Sequence, residues 1–435
     1  MPQPIIAQDA TLRQFAESFA PVFSFPQWKY FVTVLLGLIH CDAAHTLTGL
    51  LRHVAVDLTL TGLSRFLTHA PWSVAALTTL RQKHFEARLA PLVDHAHAQQ
   101  RANRPRRPGR PTETVVTGFL ILDDSTHVKR FAQHMDGLGH HYSATDHRPM
   151  PGHSLFQCLY VLWGQHLVLT PQMYRQRSVC LKEAVPFKSK VDLAVETITA
   201  FEPPPHTQTH VLVDSWYTCR RVWRTARQRR WDITGGLKSN RRLRLVAPDG
   251  GRSWMALSAF AATLKPEAFQ AVVWPNQEGG EVVYAYMIRT WVRKLGPCQV
   301  LMVKPTAEAS VSQMRFWATS RLEDTLQQVI TVVAQRWDIE VFFADFKEIL
   351  GSDQYQVRSA QAIVRFWALG ACLYQYLDEQ RVQLEQERGR HVTLGEVRAW
   401  LRDRHADLLL DRIGQWFQVG ESTEHIHQRL RSPVA

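Results

Sequence analysis

The sequence has no CxxC pair; its six cysteines, Cys41, Cys158, Cys180, Cys219, Cys298 and Cys372, are scattered along the chain. Such spacing offers neither a zinc-binding pattern nor a disulfide framework, and it reads as reduced thiols set mostly in a core. Long apolar runs are missing too. The longest, about Tyr30 to Ile39, is too short to cross a bilayer and is broken by Thr33, so no membrane partner is expected. The opening MPQPIIAQDA has no basic segment leading into an apolar stretch, and no signal peptide is expected. Acid is scarce: 39 Asp and Glu stand against 51 Lys and Arg, giving a net charge of +12 and a pI near 9.6. A basic chain of this size suits a polyanion, with nucleic acid the first candidate. At 435 residues and 45% hydrophobic content, two or three domains can be filled.

What is present has a clear order. Residues 1–98 read as helical, with apolar spacing through Trp28–Ile39, His45–Val54, Leu60–Leu67 and Val74–Leu89. The pair 45–54 and 60–69 has the size of a helix-turn-helix, or of two helices in an ordinary bundle. Residues 99–114 form a basic Arg/Pro linker in which Arg104, Arg106, Arg107 and Arg110 meet prolines and no acid between 101 and 112. These arginines can touch DNA phosphates, or enter a narrow minor groove through the Arg107–Pro111 stretch.

From Val115 to Leu122 the chain reads as a buried strand, followed by a hairpin around Gly164, a helix over Val191–Ile198 and a strand over His210–Val213. A helix over Trp216–Arg229 and a strand over Trp231–Leu237 complete the series. The expected fold class is α/β: a ribonuclease-H-like core over 115–242 and 319–375. A β-rich insertion over 243–318 interrupts it, with an all-α domain before and a helical region, 376–435, after. Thr393 and Glu396 are spaced as a capping box opening a helix in that last region.

The residues that carry chemistry lie at the strand ends and on one later helix. Asp123 and Asp124 follow the first strand, and Asp214 follows the strand Val211–Val213. At about 100° per residue, Arg336, Glu340 and Lys347 fall within roughly 40° of one another, beside an apolar face of Ile339, Phe342, Phe343, Phe346, Ile349 and Leu350. Three carboxylates on rigid elements can hold two divalent ions about 4 Å apart for phosphodiester chemistry. Each acid also has a bland reading: Asp214 as a helix cap, Asp123 as a turn residue.

These residues resemble the DDE transposases of bacterial insertion sequences, in the cut-and-paste group with a Tyr-x2-Arg-x3-Glu-x6-Lys signature. Arg336, Glu340 and Lys347 match its last three positions, while Val333 stands where the signature has tyrosine. The likeness extends to Asp124-Ser125-Thr126, Met135–Tyr142, Gly152-His153, Asp214–Tyr217 and Lys238–Arg241, covering roughly 115–375.

The resemblance implies Asp124, Asp214 and Glu340 as catalytic metal ligands, with Asp123 the lesser choice. It implies two Mg²⁺ ions per site, replaceable by Mn²⁺. Arg336, Lys347, Lys238, Asn240 and Arg241 are expected on DNA phosphates, with Thr126, His153, Trp216 and Tyr217 near the site. His140, His141 and His153 are read as structural or phosphate-bonding rather than metal-binding. Trp254, Trp274 and Trp291 are the expected candidates for stacking on a flipped base. The implied partners are the terminal inverted repeats, target DNA and a second copy of the chain in a homodimer, within the bacterial cytoplasm at the nucleoid. Two other readings stay open: a catalytically silent, sequence-specific DNA-binding regulator, and a ribonuclease-H-like nuclease without strand transfer.

Overall fold

The computed structural model describes residues 9–42, 44–54, 58–102, 116–143, 145–246, 250–275 and 280–430. The expected linker arginines Arg104, Arg106, Arg107 and Arg110 lie outside the described residues.

Five helices come first: α1 Ala10–Glu17, α2 Phe25–His40, α3 Leu47–Arg52, α4 Leu60–Thr68 and α5 Val74–Ala102. Apolar spacing predicts an end near Leu89, yet α5 continues to Ala102 through Pro91, burying only Val93 beyond Leu89. That second half turns mostly to solvent, so the apolar pattern fades while good helix formers carry the backbone on.

The sheet follows. Strand β1 covers Thr117–Val128, β2 Gly139–Ser143, β3 Arg148–Leu162, β4 Gln165–Val168 and β5 Gln172–Tyr174. Helices α6 Arg177–Glu183 and α7 Lys190–Ala200 lead to β6 Gln208–Val213, α8 Arg220–Gln228 and β7 Asp232–Gly236. Then come β8 Arg242–Val246, β9 Arg252–Ala256, α9 Leu257–Thr263, β10 Gln270–Trp274, β11 Glu281–Val292, β12 Gly296–Lys304 and β13 Arg315–Thr319. The chain closes on α10 Leu326–Ala334, α11 Asp338–Glu348, α12 Ala360–Arg388, α13 Leu394–Gln418 and α14 Thr423–Arg429.

The β3–β4 hairpin turns through Trp163 and Gly164, both at positive φ (51° and 69°), the twist that suits a two-residue connection. Strand β2 sits in a stretch whose glycines and histidines give no strand signal; it forms by pairing with the start of β3. The segment after β7 does not form a separate sheet. Its strands join the same one, in the order β2-β3-β1-β6-β7-β13-β12-β11-β8-β9.

Strand alternation sorts β1 and β6 between two cores. Ile121 and Leu212 face a core shared with α2, α11 and α12, whereas Leu120, Leu122, Val211 and Val213 face one shared with α5, α7 and α8. Thus α11 covers one face of the sheet and α7 and α8 the other. Helices α1 to α4 lie on the α11 face: Arg365 of α12 donates to the carbonyls of Leu67 (3.0 Å), Ala70 (2.7 Å) and Trp72 (2.5 Å), with its guanidinium 4.6 Å from the Trp72 ring. Thr393 and Glu396 cap α13 reciprocally, as their spacing predicts. No helix among the described residues is long and apolar enough to cross a membrane.

Candidate active site

Strand β1 outruns its parallel neighbour. Pairing with β6 stops at Leu122–Val213, while antiparallel pairing with β3 continues past Thr126. Asp123 and Asp124 therefore lie mid-strand, at the point where β6 ends, and Asp214 follows directly on Val213. The register puts Asp123 level with Asp214, and parity puts both on the face that carries α11.

That face assembles the charged groups. Arg336, in the turn between α10 and α11, sets Nη1 3.7 Å from Asp123 Oδ2 and bonds Glu340 Oε1 through Nη2. One guanidinium thus spans two acids from distant parts of the chain. Burial pushes the Asp123 carboxyl up to about 7, reinforced by the charge of Asp214, although the Asp124 N–H donates to it at 2.8 Å. Burial also raises Asp214, opposed by N–H donors from Tyr217 (3.0 Å) and Trp216 (2.9 Å) on its Oδ1. Asp214 does cap the turn that leads into α8, as well as lying beside Asp123.

Asp124 points the other way. Its Oδ1 accepts from the Tyr217 hydroxyl at 2.7 Å, and its Oδ2 accepts from Lys190 and, at 3.3 Å, from Ser154. Burial and the adjacent Asp124 charge drive the Tyr217 phenol far above its ordinary range, fixing it as a donor. Lys190, the first residue of α7, carries no motif that marks it in the sequence. It is found only once the sheet brings α7 beneath β1.

The other expected residues fall around these groups. Lys347 donates to the Thr126 carbonyl at 3.2 Å, and burial lowers its ammonium pKa. The Thr126 hydroxyl is spent on the Tyr142 carbonyl at 3.2 Å. Lys238, Asn240 and Arg241 line a cavity of about 390 Å³ with Ser215 and the exposed Trp216. His153 is buried, bonded to the Tyr355 hydroxyl (2.7 Å) and the Asp136 carbonyl (3.0 Å); burial lowers it to about 4, which keeps the ring neutral. His141 is likewise lowered to about 4 by burial. Val333, at the signature's tyrosine position, is buried in an apolar cluster with Val329 and Ile330. Trp274 packs on Trp317 at 5.5 Å and Trp291 lies under Arg244 at 4.6 Å, while Trp254 and Trp291 are both exposed.

Among the described residues, no group of three or more His, Cys, Asp or Glu side chains is closed up as a metal cage. The donor set nevertheless suits a hard divalent cation. Asp123 and Asp214 are pushed towards their neutral forms by burial, Asp123 also by the charge of Asp214 and Asp214 by that of Asp124, and a cation beside them reverses that penalty.

No curated protein matches the chain. Two family models do: one described as a DDE superfamily endonuclease, over residues 19–253, and one described as a transposase DDE domain, over residues 188–376. The first covers more than half of the 435 residues and includes β1 and Asp214, and the second takes in Asp214 and the Glu340 helix. The chain therefore belongs to the DDE superfamily of endonucleases and is a DDE-type transposase by family.

Proposed function

We propose that the protein cuts an insertion sequence at its terminal inverted repeats and joins the freed ends to target DNA, with Asp123, Asp214 and Glu340 as the acids of the reaction. The observation that carries this choice is Arg336 bridging Asp123 and Glu340, with Asp214 level with Asp123 in the parallel register. Asp124 faces Lys190 and Tyr217 on the opposite side, where it braces the strand.

Two Mg²⁺ ions, or Mn²⁺ in their place, would be held by Asp123, Asp214 and Glu340, activating an attacking oxygen and stabilising the leaving one. The protein's own groups do the rest. Arg336 balances the acids in the DNA-free chain and is positioned to pass to a phosphate oxygen beside the scissile bond. Lys347, at the end of α11, the helix that carries Glu340, is held by its bond to the Thr126 carbonyl, close enough to β1 to neutralise a neighbouring phosphate. Lys238, Asn240 and Arg241, next to Asp214, line the route by which a DNA backbone reaches the acids. Positioning and charge stabilisation then supply most of the rate. In this reading two copies pair the two ends of the element in the cytoplasm, and the Tyr-Arg-Glu-Lys group is the chain's place within the family.

The test is a cleavage assay on duplexes carrying the element's terminal repeats. Metal-dependent nicking at the repeat boundary supports transposition. Binding without nicking would mark a regulator, and sequence-blind degradation would mark a plain nuclease.

A further inference from the structure

Helix α8 presents an unbalanced line of charge away from the acids. Arg220, Arg224 and Arg227 recur at i, i+4 and i+7 and are all exposed, while Val222, Trp223 and Ala226 are buried behind them. The line is roughly 10 Å long at about 1.5 Å per residue. The tip of the β11–β12 hairpin, with Lys294 at φ 73°, faces it across a cavity of about 370 Å³. Arg227 is paired with Asp232 at 2.8 Å; Arg220, Arg224 and Lys294 are in no ion pair among the described residues. Like charges one turn apart destabilise a helix, and three unanswered cations around one cleft suit an external anion.

The cleft is distinct from the proposed catalytic centre. Ser320 lines it and bonds Asp232, which pairs with His210 at the start of β6. Asp214 lies four residues further along, about 13 Å at the usual rise of a strand. The cations therefore run from the first turn of α8, just after Asp214, towards the far end of the sheet. A duplex carries one backbone charge per about 1.7 Å of its axis, so a line of guanidinium groups roughly 10 Å long can reach several phosphates.

We propose that the α8 line and Lys294 bind the phosphate backbone of duplex DNA flanking the cut site, holding the helix beyond the reach of Arg336 and Lys347. This rests on the transposase reading above. The experiment compares the full-length protein with Arg220→Ala/Arg224→Ala/Lys294→Ala, titrating a repeat-bearing duplex at several salt concentrations and assaying metal-dependent nicking in parallel. Expected are an affinity loss of about 10- to 100-fold at low salt and a fall in the log–log salt slope of about 0.9 per lost contact. The lysine variant Arg220→Lys/Arg224→Lys is expected to keep the slope. Should the alanine variant fail to fold, Arg220→Gln/Lys294→Gln carries the same comparison with two contacts.

If the wild type binds and nicks while the variants keep its affinity and slope, the α8 proposal is overturned and the transposase reading stands. If the wild type neither binds nor nicks the duplex, it is the transposase reading that fails. A third arm adds millimolar inorganic phosphate alone. Thermal stabilisation of the wild type but not the variant by that ion, without a DNA defect, assigns the cleft to a small free phosphate compound and overturns DNA binding there.

Discussion

Asp123 and Arg336 meet at 3.7 Å across more than two hundred residues of chain, and the same guanidinium holds Glu340. Asp124, the immediate neighbour of Asp123, has no part in that contact. Two adjacent aspartates thus occupy different chemical settings, and their variants separate the roles.

Asp123→Asn should lower metal-dependent cleavage by at least roughly 10³-fold while leaving DNA binding within a few-fold of wild type. Asp124→Asn, which loosens Tyr217 and Lys190 instead, should cost about 10- to 100-fold, the range seen when supporting groups around a metal site are altered. Single-turnover cleavage of a repeat-bearing duplex reads both. The reverse order would return the catalytic assignment to Asp124.

Glu340→Gln should abolish cleavage and keep end binding. A gel-shift titration next to a cleavage assay checks this, and equal loss of both would show that the residue holds the fold or the DNA rather than the reaction.

The basic linker can be tested without reference to its conformation. Replacing Arg106, Arg107 and Arg110 together with alanine should weaken duplex binding and reduce the salt slope by about one unit per lost phosphate contact. An unchanged slope removes these arginines from the interface.

Acid should destabilise the helical half of the molecule. His40 Nε2 and His405 Nδ1 lie 2.7 Å apart between α2 and α13, and burial lowers them to about 3 and about 4. Both rings are neutral when folded, but the unfolded chain takes up protons near the ordinary value of 6.5. Folding therefore loses stability as pH drops from about 6.5 towards 4, by about 1–2 kcal/mol per ring near pH 5. Thermal melts across that window should show the decline, and His405→Gln should flatten part of it. His210, lowered to about 3 by burial, will keep some of the slope in the variant.

Truncating Arg365 should be among the most damaging changes remote from the acids. Its guanidinium satisfies the carbonyls of Leu67, Ala70 and Trp72, so Arg365→Ala leaves several buried acceptors unpaired. A loss of about 3 kcal/mol or more is expected in chemical denaturation, with cleavage per folded molecule unchanged.

Much of this was legible in the sequence, for definite reasons. Helical spacing alone put Glu340 and Lys347 on one stripe beside the phenylalanines, because α11 packs one face and is regular throughout, and Arg336, in the turn just before it, still reaches Glu340. The first acid was harder. Alternation says that Asp123 and Asp124 face opposite ways, but Phe119 through Leu122 are all apolar, so nothing local says which side α11 will cover. That is decided by the sheet's two cores, a tertiary fact. Strand β2 escaped notice because its residues gain a strand conformation only from β3, and Lys190 because its partner lies 66 positions earlier.

Helix α12 carries one more lesson, for anyone dissecting this protein. Since Arg365 ties it to the chain around Leu67–Trp72, and the N-terminal helices and α11 share one apolar core, the usual experiment of clipping off the front to obtain a free-standing nuclease would strip the cover from greasy side chains. Such a fragment should aggregate, and the intact polypeptide should melt in one calorimetric step rather than two.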